Sequence, residues 1–171
     1  MTSVTAFIAA VDKFMSLDKR LVGADEIMSW QPGREPDTYF LKLPLEVDGE
    51  QMGQSLFVKA YPLHPTQRFS IGIIFEPTIC RLDFWLEGIH SNGLTATSEG
   101  LSALINGSHY HPWEINKGCV ESPNKLFKLQ KAVPFTDARQ FDSALRWFCG
   151  ENKILLPPKH TIELPLRTRL I

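Results

Sequence analysis

An excess of charge of either sign is missing: 18 Lys+Arg stand against 19 Asp+Glu in 171 residues. No whole-molecule field therefore draws the chain to DNA, RNA or an anionic membrane, and any nucleic-acid site has to be a local patch. Long apolar runs are missing too. None reaches the roughly 18 residues that span a bilayer, and the N-terminus lacks the charged-then-apolar layout of a secretory signal. Cysteine is scarce, and Cys80, Cys119 and Cys149 form no C-x-x-C pair. That argues against a disulfide framework or zinc knuckle, and fits a reducing, cytoplasmic setting. Also absent are G-x-S-x-G, a Walker loop, a dinucleotide glycine fingerprint and H-E-x-x-H, which removes the usual signs of nucleotide-dependent enzymes and common hydrolases.

What is present is enough apolar material, 43% hydrophobic and 11% aromatic, for one sizeable core in a single domain over residues 1–171. Val4, Phe7, Ile8, Val11, Phe14 and Met15 recur at helical spacing after Thr2 or Ser3 as N-cap, which predicts an amphipathic helix covering one face of a sheet. From Glu26 the pattern changes to short β-branched and aromatic runs separated by turn residues, at Ile27–Trp30, Tyr39–Val47, Ser55–Tyr61, Arg68–Phe75 and Cys80–Leu86. Asp48-Gly49 suits a tight reversal, and connections this short favour antiparallel neighbours. Leu101–His111 reads as a further strand. Thr136 is the expected N-cap of a second helix that carries Phe141, Ala144, Leu145 and Phe148 on one stripe, ends at Gly150 and packs beside the first. His160–Leu166 reads as a last edge strand. The fold class is α+β: a mainly antiparallel sheet flanked by an N-terminal and a C-terminal helix.

The most unusual local feature is His109-Tyr110-His111, which holds two of the five histidines. On a strand both imidazoles face the same way, roughly 7 Å apart at their bases, close enough to reach one metal ion or one phosphate. His90, two residues before Asn92, could supply a third nitrogen, and Glu114 an oxygen. The histidine-x-histidine strand of cupin barrels is followed by a glutamate, but here Glu114 comes too soon and the glycine spacing differs, so spacing alone assigns no metal and no cofactor. The alternative chemistry is metal-free acid–base catalysis, with one histidine as base, another as acid, and Arg81, Lys117 or Tyr110 stabilising developing charge. Against both stands the bland reading of two strand histidines bonded to neighbouring backbone, with Pro112 ending the strand. Arg81 and Asp83 share a strand face, where an intrastrand ion pair is the ordinary explanation. Cys149, beside Phe148 on the helix stripe, reads as a buried, inert thiol.

Taken in order, Arg81-x-Asp83, His90-x-Asn92, His109-x-His111 and the helix ending at Phe148–Asn152 before Ile154 resemble a family of uncharacterised small prokaryotic proteins of chromosomes and mobile elements. The resemblance spans most of residues 80–158, with Gly93-Leu94 and Pro112-Trp113-Glu114 departing from the family pattern. It implies that His90, Asn92, His109 and His111 cluster in space, and it supplies a site without a reaction. The expectation is a mobile-element or defence-associated protein with catalytic candidates His109, His111, His90 and Arg81 and binding candidates Asn92, Tyr110 and Trp113, acting on nucleic acid without metal. The competing class is a non-catalytic interaction or inhibitor protein that presents a sheet face or edge strand, with Trp30, Trp85 and Trp113 as exposed aromatics. Another protein or RNA is the candidate partner, and a homodimer through an edge strand stays open. An enzyme predicts that the three histidines converge; a binder predicts that they scatter.

Overall fold

The computed structural model describes residues 3–26, 29–122 and 128–165. Helix α1 (Val4–Ser16) opens on Ser3, whose hydroxyl accepts from the Ala6 N–H and satisfies one of the orphan donors of the first turn. The strands follow in chain order: β1 (Lys19–Leu21), β2 (Gln31–Pro32), β3 (Tyr39–Val47), β4 (Glu50–Ala60), β5 (Arg68–Ile74), β6 (Thr78–Trp85), β7 (Ile89–Ser91), β8 (Leu104–Asn106) and β9 (His109–His111). One short helix, α2 (Trp113–Asn116), then leads to β10 (Val133–Pro134), α3 (Phe141–Glu151) and β11 (Ile154–Leu155).

The main sheet runs β10-β9-β6-β5-β4-β3-β1-β11, with β2 added on β3. All its pairs are antiparallel except β1 with β11. The β3–β4 reversal places Asp48 at φ 53° and Gly49 at φ 83°, the left-handed pair that matches the twist of the flanking strands. Strand alternation then sorts the sheet into two unlike faces. Leu41, Leu43, Leu45, Leu56, Val58, Phe69, Ile71, Leu82, Phe84 and Tyr110 point to one side and form a single buried cluster with Phe7, Val11 and Phe14 of α1 and Phe141, Leu145 and Phe148 of α3. Lys42, Lys59, Ser70, Arg81, Asp83, His109 and His111 alternate with them and so point to the other side. Among the described residues no helix is long and apolar enough to cross a membrane.

Several sequence expectations shift. The second helix starts at Phe141 after Gln140, five residues beyond Thr136, and runs through Gly150 to Glu151. It packs chiefly on β5 and β11 rather than beside α1, because the sheet offers both helices a wider apolar surface than either offers the other. Leu101–His111 is two short strands, broken at Gly107, whose φ of 89° a strand cannot carry. The C-terminal edge strand is Ile154–Leu155, while the described part of His160–Leu166 is not a strand. Ile27 lies outside the described residues; Ser29 and Trp30 lie outside any strand, and β2 begins at Gln31.

At the back of the sheet, Asn152 joins four elements. Its side-chain oxygen accepts from Tyr110 Oη at 3.1 Å and from Cys80 Sγ at 3.4 Å. Its amide donates to the Phe148 carbonyl, and its own carbonyl accepts from the buried Lys19 Nζ at 3.1 Å. Burial pushes Lys19 down to about 8 and the Cys80 thiol up to about 12. Leu82 is fully buried at the centre of this arrangement. Leu82→Ala should cost about 2–5 kcal/mol of unfolding free energy by chemical denaturation, and a loss below about 1 kcal/mol would contradict the packing described.

Candidate functional site

The β6–β9 register sets Arg81 opposite His111 and Asp83 opposite His109, so four functional side chains fall on one sheet face across a single strand pair. The β7–β8 hairpin folds over this edge and delivers His90, whose ring centre lies 4.7 Å from those of both His109 and His111. One ring nitrogen from each of the three lies within 4.8 Å of the others. His111 is fully buried, His109 is 6% exposed and His90 is half-buried.

Backbone partners fix the tautomers. His109 Nδ1 sits 3.0 Å from the Gly107 carbonyl and His111 Nδ1 sits 3.0 Å from the Lys131 carbonyl. A carbonyl only accepts, so in the neutral rings each Nδ1 carries the hydrogen and each Nε2 keeps a bare lone pair. His90 is the reverse: its Nε2 donates to Asn92 Oδ1 at 3.0 Å and to the Gln130 carbonyl at 3.1 Å, which leaves Nδ1 bare. The identity of Asn92 Oδ1 is secured because it also accepts from the Ala132 N–H at 2.7 Å, while its amide donates to the Ser102 and Ala132 carbonyls.

Two buried asparagines hold the segment that supplies these carbonyls. Asn92 grips residue 132, and Asn116 Oδ1 accepts from the N–H groups of Gln130 and Lys131 while its amide donates to the carbonyls of Pro112 and Lys131. The Lys131 side chain pairs with Glu99 at 2.6 Å, tying the 3-10 turn Leu94–Glu99 to the same segment.

Asp83 faces the histidines. Its Oδ2 lies 3.6 Å from His109 Nε2 and 3.5 Å from His111 Nε2, and also accepts from Arg81 Nε at 2.8 Å; its Oδ1 accepts from Ser70 Oγ at 2.6 Å. Burial alone would raise this carboxyl, but the His111 ring when Nε2 carries a proton, the Arg81 charge and the Ser70 hydroxyl outweigh burial and hold it well below the usual carboxylate range. His111 Nε2 is buried and makes no hydrogen bond to any described group. Burial, with the neighbouring imidazoles, holds His90 and His109 below the ordinary histidine value.

Of the sequence candidates, the structure brings together His90, Asn92, His109, His111 and Arg81 and leaves Tyr110, Trp113, Lys117 and Glu114 out. Tyr110, being between the histidines, points to the opposite face and packs on Trp147 and Phe148. Trp113 is 2% exposed, an anchor in the core whose indole N–H donates to Asp12 rather than an exposed aromatic. Lys117 and Glu114 pair with each other at 2.7 Å instead of joining the site. Cys149 is buried, with its thiol pushed up to about 12. Sequence reasoning undervalued Asp83 and missed Asn116; the signal for Asp83 was its place two residues from Arg81 on a strand, whereas nothing local marks Asn116. Comparison with protein-family models, with curated proteins and with solved structures finds no match to this chain.

The depressed histidines give stability a pH signature. In mild acid the unfolded chain, whose histidines titrate near 6.5, binds protons that the folded state refuses at His90 and His109. Unfolding free energy should therefore fall as pH is lowered from about 7 to 5, with Asp83 adding a loss in the same direction only below about 4. Denaturant midpoints across that range check this, and His90→Gln with His109→Gln should flatten the upper part of the curve.

Proposed function

We propose that this chain binds one divalent transition-metal ion of the zinc class between His90, His109 and His111, with the Asp83 carboxylate at its side. The observation that carries the reading is the pair of bare Nε2 lone pairs of His109 and His111, both within 3.6 Å of the same carboxylate oxygen. Three acceptors facing one another repel unless a positive centre lies between them. A tetrahedral ion at about 2.0–2.1 Å from each ligand would set neighbouring ligands about 3.3 Å apart, and the three ring nitrogens, within 4.8 Å of one another, would draw together around it. The backbone carbonyls on the far ring nitrogens are the outer-shell support that metal-binding imidazoles require, and Asn92 does the same for His90. Three nitrogens and one oxygen suit zinc, iron, nickel or copper rather than magnesium or calcium. If the three histidines are the ligands and Asp83, held by Arg81, stands beside them as an outer carboxylate, a fourth position would be left for water or substrate, and the ion would supply Lewis-acid chemistry or an activated water.

A second reading has its own support. One proton on either His109 or His111 would also relieve the repulsion at Asp83, and the pair would then serve as general acid and base without metal on a phosphoester of nucleic acid. The mobile-element or defence setting rests on the R-x-D, H-x-N and H-x-H resemblance.

The test is calorimetric titration of chelator-treated protein with zinc, together with cobalt(II) absorption. One site per chain is expected, with the intense visible bands of a tetrahedral cobalt centre. His111→Gln should abolish it, His90→Gln should weaken it without touching the core, and Asn92→Ala should cost about 10–100-fold in affinity. Unaltered zinc binding in both histidine variants, or no binding in the parent protein, would remove the metal reading in favour of the shared proton.

A further inference from the structure

Beside the histidines, the open face of the sheet holds a groove of about 340 Å³ whose lining includes Asp83 and His109 at one end and Lys59, Tyr61, Arg68 and Trp85 further along. Register explains the layout. Lys59, Ser70, Asp83 and His109 lie in one row across β4, β5, β6 and β9, and Arg68 pairs with Trp85 in the next row. With Arg81 also in the lining, three cations face one carboxylate in this groove.

Two of those cations keep N–H groups free, although Arg81 pairs with Asp83 and the charge of Arg68 acts on Glu35. The Arg68 guanidinium is held 4.1 Å from the Tyr61 ring centre and 4.2 Å from that of Trp85, and forms no ion pair or hydrogen bond with a described group. Stacking fixes the plane of the guanidinium while leaving its N–H edge free, which is how arginine is prepared to meet an oxyanion. Arg81 bonds Asp83 through Nε, and its terminal nitrogens donate to no described group. Lys59, 5.0 Å from the Tyr61 ring centre, is shared with Glu35 at the groove's outer side. The volume lies at the small end of ligand sites, enough for one nucleotide and too little for a duplex.

We propose that this groove binds a nucleoside phosphate group, with the phosphate on the free edge of Arg81 next to the three-histidine centre and the base further along, against the free edge of the Arg68 guanidinium and the parts of Tyr61 and Trp85 that line the groove. The proposal rests on the metal reading only for what happens at the phosphate; the groove's own charge and stacking supply the binding. Aromatic faces accept any base by stacking, so recognition follows the phosphate and the flat ring rather than a sequence. A free mononucleotide and a nucleotide within a single strand offer the same chemistry.

The experiment is calorimetric titration with adenosine monophosphate, inorganic phosphate and a single-stranded RNA hexamer, each with and without saturating zinc. Adenosine monophosphate should bind in both conditions and more tightly than inorganic phosphate. Arg68→Gln, which lies outside the histidine centre, should weaken it by about tenfold or more while leaving zinc affinity unchanged, and Arg81→Gln should weaken it as well. A hexamer that binds much more tightly than the mononucleotide assigns the groove to a strand, and equal affinity assigns it to free nucleotide. Absence of nucleotide binding in a protein that takes up zinc normally would overturn the groove proposal and leave the metal centre standing. Nucleotide binding without any zinc uptake would overturn the metal centre alone. Binding no better than that of inorganic phosphate would overturn the role given to the aromatic rings.

Discussion

Everything at the site depends on the antiparallel pairing of β6 with β9, a contact only three residues long. Arg81 opposite His111, Leu82 opposite Tyr110 and Asp83 opposite His109 determine in one step which groups meet on the open face and which are buried on the other. Pleated geometry makes the two outcomes inseparable, since side chains alternate by one residue. The apolar pair in the middle, packed against α3, is what holds the polar pairs on either side in place. Burial of Leu82 and Tyr110 supplies stability to a stretch whose other members are costly to desolvate.

The third histidine arrives by different means. His90 belongs to a two-stranded hairpin outside the main sheet, and its position comes from Asn92 and from the carbonyls of a loop segment that Asn116 and Asn92 clamp from two sides. Side-chain amides suit this task because each offers donors and an acceptor and so closes backbone groups that no strand partner satisfies. The site is thus half sheet and half loop. The sheet half has fixed spacing, and the loop half is tied by side-chain-to-backbone hydrogen bonds, those between Asn92 and residue 132 being buried.

Much of the sheet was legible from residue pattern alone, because strands such as Tyr39–Val47 alternate strictly and Asp48-Gly49 marks the reversal. The histidine pair was legible for the same reason: two residues apart on a strand means one face. What stayed hidden has a common cause. Thr136 looks like a helix cap, yet the helix begins only after Gln140, because Val133 and Pro134 are drawn into pairing with β9 and the chain bends between that strand and the helix. Asn116 meets the N–H groups of residues 130 and 131 and the Lys131 carbonyl across about fifteen residues, and His90 meets the Gln130 carbonyl across about forty, separations that no local spacing encodes. The sequence neighbours of Tyr110 and Trp113 point to a site, whereas their roles follow from the side of the sheet or helix they occupy. Spacing alone makes Asp83 half of an ordinary ion pair with Arg81, and its second relationship, to the histidines of β9, appears only with the register.

The tyrosine between the histidines carries one more implication. Its hydroxyl is tied to Asn152, which also receives Cys80 and Lys19 and caps α3, so the short strand is anchored from behind by the part of the core where three elements end. A slip of β9 by one position would drive two imidazoles into hydrocarbon and expel the phenol into water, so a misaligned chain cannot persist as a well-folded but inert copy. Loss of the constellation and loss of the native state become one event, and drift in this strand is policed by proteostasis before it is ever tested by chemistry.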